Sequence, residues 1–147
     1  MTPGPRMFLL VFAVAAGLLA AGCGGDKKNE SEGSAAGAKI DCRADAFKGD
    51  PGLPAKFPIP AEYTVTESTQ EGPTRVVIGY WESGIDEAHR EWKDRMEEAG
   101  FKVTFDELEA HDSEVAYDGS GRTGIIQLRD RCNEDEVTYV RITSRPE

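Results

Sequence analysis

Residues 83–101 read SGIDEAHREWKDRMEEAGF. Ile85, Ala88, Trp92, Met96 and Ala99 recur at spacings of three and four, which lines them up as one apolar stripe on a helix of about four turns. Ser83 with Asp86 three residues on gives a capping-box-like start, and Ala99-Gly100-Phe101 gives a C′ glycine backed by a hydrophobic residue. The remaining surface carries Asp86 and Arg90, Glu91 and Arg95, and Lys93 and Glu97 at i,i+4, which reads as a solvated face. The spacing therefore predicts a one-sided helix over about 84–99 that needs a single apolar surface to lie on.

Beyond the helix the hydrophobic period changes to two. Val103 and Phe105, Val115 and Tyr117, Ile126 and Leu128, and Val140 and Ile142 each alternate with polar residues, as half-buried strands do. The links at 119–121 and 131–135 are too short for parallel crossovers, so pairing is antiparallel. Upstream, Tyr63 to Glu67 alternates weakly, and Arg75 to Trp81 is apolar on both faces, as a central strand is. One amphipathic helix can cover one sheet face, so the expected fold class is α+β, a two-layer sandwich with an antiparallel sheet of about five to six strands. Ahead of these strands, Pro51, Pro54, Pro58 and Pro60 block helix interior and central strand alike. Phe57-Pro58-Ile59-Pro60 reads as an extended edge segment with Phe57 and Ile59 as inward packing groups.

The N-terminus carries an address. Arg6 precedes an apolar run from Met7 to Ala21, whose 15 residues are too few to span a bilayer comfortably and suit a secretory signal. The run closes on Leu19-Ala20-Ala21-Gly22-Cys23, which resembles the lipobox of bacterial lipoproteins. Ala20 stands where such boxes more often carry Leu, with Leu19 one place earlier. The resemblance implies a diacylated Cys23 thiol, cleavage before it and acylation of the new amine. Two lipid chains anchor stably, since each buried methylene contributes ~0.8 kcal/mol and one chain alone is marginal. The implied location is the extracytoplasmic side of a bacterial cell envelope, on the cell membrane or, in a Gram-negative cell, the outer membrane. Residues 1–22 are then signal peptide, 23–41 the lipidated cysteine with a Gly, Ser and Ala-rich flexible tether, and 42–147 one domain. Residues 57–143 are also similar to a recurring class of small, mostly uncharacterised bacterial lipoproteins. That similarity implies no activity, cofactor or catalytic residue.

With Cys23 consumed by lipid, Cys42 and Cys132 remain as an even pair in an oxidising compartment, which predicts a disulfide. A loop of this length is worth at most ~4–5 kcal/mol in the chain-entropy account. No second Cys or His sits at ligand spacing from either cysteine, and neither belongs to a C-x-x-C pair. The chain holds 27 acids and 17 bases, net −10; cleavage before Cys23 removes Arg6, leaving 17 − 1 = 16 bases and a net of −11. Such a surface disfavours nucleic acid and is repelled by anionic headgroups, so lipid must carry the membrane attachment.

The chemistry-bearing motifs are few. Gly119-Ser120-Gly121-Arg122-Thr123-Gly124 satisfies G-x-G-x-x-G, but the dinucleotide pattern requires a helix next, and Ile125-Ile126-Gln127-Leu128 is strand-like. The glycines therefore read as turn and bulge positions. Ser120 sits at that hairpin tip without a G-x-S-x-G elbow. His89 lies beside the helix stripe as a boundary packing residue, His111 lies in a polar loop, and H-E-x-x-H is absent. The acidic clusters lack the order of a calcium loop. No catalytic residue, metal or cofactor is expected. Tyr80, Trp81 and Tyr139 are the candidate ligand or partner surface: Tyr80 and Trp81 point to opposite sides of their strand, so one faces away from the helix unless the proline arm covers it through Phe57 and Ile59. The expected function is a monomeric, lipid-anchored interaction or structural module that meets an envelope protein partner. A small-ligand-binding or sensor module and a small hydrolase are the alternatives.

Overall fold

The computed structural model describes residues 38–147, so the expected signal segment, Cys23 and most of the expected tether lie outside the described residues. Six strands and one helix follow in the order β1 (Tyr63–Glu71), β2 (Thr74–Trp81), α1 (Ile85–Glu98), β3 (Lys102–Leu108), β4 (Asp112–Gly119), β5 (Arg122–Arg129) and β6 (Thr138–Pro146). The strands form one open sheet, β1-β2-β6-β5-β4-β3, and every neighbouring pair is antiparallel. Helix α1 carries the chain from β2 to the far edge at β3, and the last strand fills the gap between β2 and β5. The β4–β5 hairpin turns at Ser120 and Gly121, both at positive φ (55° and 69°), which is the primed turn that matches strand twist. A strand follows these glycines, as their sequence context implies.

Side chains alternate across each strand, so one parity of residues meets α1. Val77 and Trp81, Val140 and Ile142, Ile126 and Leu128, and Val115 and Tyr117 form a buried cluster with Ala88, Trp92 and Met96 of the helix. Trp92 is fully buried at its centre, with ring centroids 5.8 Å from Trp81, 5.4 Å from Tyr63 and 6.0 Å from Phe57. Each such side chain taken from water contributes roughly 1.5–3 kcal/mol, so the helix is held by its stripe and not by its propensity. Gly124 passes so close to this layer that a Cβ there would lie 2.6 Å from the Tyr117 hydroxyl, which explains a glycine within a strand.

Several local expectations need correction. The cap residue of α1 is Gly84, whose backbone is extended and which makes no side-chain cap bond, while the Ser83 hydroxyl donates to the Gly84 carbonyl at 3.4 Å. The capping box is absent, and the N-terminus keeps only the dipole benefit of Asp86 and Glu87. The C-terminus does close as expected. Phe101 N–H donates to Met96 O (2.9 Å) and Gly100 N–H to Glu97 O (3.0 Å), a Schellman motif with Gly100 at φ 86°. On the outer surface, Arg95 pairs with Glu91 at 2.5 Å as its spacing implies, but Lys93 reaches across to Asp106 of β3 instead of Glu97.

The proline arm also lies elsewhere than expected. Residues 54–60 lie outside the sheet, with a turn at Ala55 and Lys56, and β1 is the edge strand on that side. Phe57 packs into the helix-side cluster, 5.4 Å from Tyr117 and 5.7 Å from Phe101, whereas Ile59 is exposed. The arm thus does not carry Phe57 and Ile59 to the face opposite the helix. Proline rigidity allows the short path from Pro54 to Pro60 to place one aromatic inward and its neighbour outward.

Cys42 and Cys132 are joined by a disulfide with Cα atoms 5.4 Å apart. Beside it Ile40 forms a parallel bridge to Cys132, accepting from Asn133 N–H and donating to Arg131 O, both at 2.8 Å. The chain is therefore built into the fold from just before Cys42.

Candidate functional site

The parity that turns Val77 and Trp81 inward turns Val76, Ile78 and Tyr80 to the other side of β2. Their registered partners continue that face across the sheet. Tyr80 lies opposite Tyr139, Ile78 opposite Arg141 and Val76 opposite Thr143. Thr143 pairs with Ile125, Ile125 with Ala116, and Ala116 with Phe105. Among the described residues no helix or strand packs over this face. The disulfide strap covers one end, where Cys42, Cys132 and Val137 are buried against the half-buried Ile40, Tyr80 and Tyr139, and Val76 on β2 is buried as well.

The three aromatic candidates are therefore split. Trp81 is 2 % exposed within the helix-side core and offers no surface. Tyr80 and Tyr139 do share the opposite face as a direct cross-strand pair, but they are half-buried under the strap. Arg131 stands 5.2 Å over the Tyr139 ring, a cation–π contact. Burial raises the Tyr139 phenol above its ordinary value, and the nearby Arg131 and Arg141 oppose that rise. This pair serves the strap as packing.

Further along the same face, an open hollow of about 450 Å³ is lined by Thr74, Ala116, Thr123, Gly124, Ile125, Thr143 and Arg145. Arg141 Nη1 donates to Gln127 Oε1 (3.2 Å), and Gln127 Nε2 donates to Glu114 Oε1 (2.9 Å), forming a polar rail across three strands one row away. Phe105, cross-strand partner of Ala116, is 49 % exposed at the end of the apolar row. Reasoning along the chain missed this row. Val76, Thr143, Ile125, Ala116 and Phe105 become neighbours only through strand register, and no two of them share a local motif.

The titratable groups are placed differently. His89 is buried on α1, and its Nδ1 shares a 2.7 Å hydrogen bond with the Ser113 hydroxyl at the start of β4. Burial lowers the His89 pKa below its usual value; Asp106 and Asp86 oppose this and Lys93 adds to it. Ser113 is 2 % exposed, and the pair links helix to sheet. His111 is exposed and pairs with Asp130 at 3.0 Å, where Lys39 also binds at 2.9 Å. Both contacts hold the Asp130 carboxyl below its usual range, Lys39 foremost.

Glu107, Glu109, Asp112, Ser113 and Glu114 line a smaller hollow of about 220 Å³ in which Asp112 is ion-paired with Arg129. Among the described residues no group of three or more His, Cys, Asp or Glu side chains is placed to hold a metal ion, and no helix is long and apolar enough to cross a membrane. No protein-family model, no curated protein and no solved structure matches this chain.

Proposed function

We propose that this chain is a lipid-tethered binding module of a bacterial cell envelope, anchored through Cys23 and working through the sheet face that α1 leaves open. The observation that carries the reading is the asymmetry of the sheet: one face is covered by α1 together with Phe57 of the proline arm, while the other presents a row of apolar and threonine side chains ending in exposed Phe105. The finer architecture that goes with it is a two-layer α+β sandwich with α1 as the one helix of the second layer. The work is binding and not catalysis, and the protein acts as a monomer on the extracytoplasmic side. The disulfide between Cys42 and Cys132 agrees with an oxidising compartment. A net charge of −10 leaves the acyl chains, not the protein surface, to hold the membrane.

Two measurements test the reading. Replacing Cys23 by Ser should move the protein from the detergent-dependent membrane fraction to the soluble exported fraction or leave it as unprocessed precursor. Unchanged membrane partition with normal cleavage would reject the anchor. A photo-crosslinker at Phe105 should then capture an envelope component in intact cells, and one at Asp94 on the outer face of α1 should not; equal yields would reject the open face as the working surface. A small-ligand use of that face is favoured by one feature, the 450 Å³ hollow, whose size lies within the range of small-molecule sites.

A further inference from the structure

We infer that the hollow on the open sheet face is a binding site for a single-chain amphiphilic carboxylate, with its apolar body laid across the strands and its anionic head at Arg145. This inference rests on the reading of the open face as the working surface and names what occupies it.

The shape comes from register. Thr143, Ile125, Ala116 and Phe105 are successive cross-strand neighbours on β6, β5, β4 and β3. At about 4.8 Å between strands, that row runs for roughly 14 Å at right angles to the strand direction. Val76, the next neighbour on β2, is buried and takes no part in the hollow. The row is one residue wide, because Arg141, Gln127 and Glu114 stand beside it on one side as a hydrogen-bonded rail. A long, narrow apolar floor accepts an extended chain better than a compact ring system.

The chemistry of the lining points to the same ligand. Ile125 and Ala116 offer only hydrocarbon, and Gly124 offers only backbone. Two of the three threonines have no donor to spare: Thr123 Oγ1 donates to Tyr117 O at 3.2 Å, and Thr143 Oγ1 donates to Ile125 O at 3.4 Å. A polar body such as a sugar would lose water there without regaining its hydrogen bonds, at a cost of about 1–3 kcal/mol per unpaired group. Arg145 is the one charged residue of the lining, is exposed, and makes no ion pair among the described residues. Its place is set by register: Arg145 follows Thr143 by two residues on β6 and so shares its face, at the β6 end of the row. In a chain of net charge −10, a guanidinium left open at the end of an apolar trough is complementary to an anion, and its planar fork matches a carboxylate.

The test is calorimetric titration of the full chain carrying Cys23→Ser, which removes the protein's own lipid, with decanoate kept below its micelle-forming concentration. Decanol supplies the apolar body without the charge, and acetate the charge without the body. Decanoate should bind saturably at one molecule per chain, decanol about tenfold more weakly, and acetate not at all. Arg145→Gln should weaken decanoate by about tenfold and leave decanol unchanged. Ala116→Gln, which fills the trough from a side chain pointing away from the core, should abolish both, with the thermal midpoint of each variant held near that of the parent. The inference is overturned if decanoate gives no saturable heat, if decanol matches it, or if both variants bind as the parent does. Loss of the Phe105 crosslink in the Ala116→Gln chain, together with absent decanoate binding, would transfer the face to a protein partner: the ligand assignment fails and the working surface stands. Intact crosslinking and absent decanoate binding would overturn both.

Discussion

Ile125 and Ile126 are chain neighbours on the same strand, and they belong to two different surfaces. Ile126 is fully buried beneath α1, among Trp92, Val115 and Ile142, whereas Ile125 looks out over a trough of threonines and an arginine. The covered face is stabilised by bulk burial and specifies the fold. The open face gains little from burial and keeps its apolar row in water, which a domain of this size tolerates only in small amounts. The difference separates residues that answer to stability from residues free to answer to binding, and it can be probed one substitution at a time.

The largest effect belongs to Ile126→Thr. It removes hydrocarbon from the helix-side core and buries a hydroxyl among apolar neighbours, so the loss should be about 3 kcal/mol in chemical denaturation. A loss below 1 kcal/mol would mean that the covered face is not the dry interior described above.

Removal of the disulfide ranks second. The strap covers one end of the open face, and it joins Ile40 and Cys42 to the loop before β6 across a separation of 90 residues. Replacing both Cys42 and Cys132 by Ser should cost about 2–3 kcal/mol, under the chain-entropy ceiling because the bridge of Ile40 to Cys132 already restrains the segment. Tyr80 and Tyr139 should become more accessible, read as faster tyrosine modification, while the Trp92 environment stays unchanged. Equal disturbance of tyrosine and tryptophan signals would show that the two faces are not independent.

Much of this organisation can be read along the chain, and the part that cannot has a common cause. The stripe from Ile85 to Met96 and the alternation of strands are local periods, so the helix, the strand positions and the antiparallel sense follow from spacing. The Cys42–Cys132 pair follows from counting. Strand order does not: nothing local states that β6 inserts between β2 and β5, and without that step the row Val76, Thr143, Ile125, Ala116, Phe105 does not exist. Trp81 and Tyr80 illustrate the same limit. Their opposite orientation is readable, but which side α1 takes is decided by the whole cluster around Trp92. Phe57 went to the helix side because three aromatic rings, Trp92, Phe101 and Tyr117, were there to receive it.

A smaller effect is expected from the link between the two layers. His89 is held neutral by burial and bonded to Ser113, with Asp106, Asp86 and Lys93 as the charged groups around it. Its folded pKa lies below its unfolded value of about 6.5, so the unfolded chain binds the proton first as pH falls. Stability from this group is therefore complete above that value and declines as pH falls below it. Asp106 and Asp130, whose folded values are lowered from an ordinary 3.8, lose their contributions only in more acidic solution. His89→Gln should flatten the decline between pH 6.5 and 5.5. A slope that persists in this variant would place the titration elsewhere.

The smallest effect is the most discriminating. Ile125→Thr is the same chemical change as the one at Ile126, moved by one residue, and it keeps the β-branched shape that a strand prefers. On the open face the new hydroxyl can reach water, and it joins a surface already occupied by Thr74, Thr123 and Thr143. The transfer term shrinks because the side chain is only partly removed from solvent, and no cavity forms because nothing packs above it among the described residues. The expected change in stability is within about 0.5 kcal/mol of the parent, the usual span for surface substitutions. Decanoate binding should nonetheless fall severalfold, since the trough loses hydrocarbon where the ligand's body would rest. A loss comparable with that of Ile126→Thr would mean that the open face is a second buried surface, and the division of labour between the two sides of the sheet would be wrong.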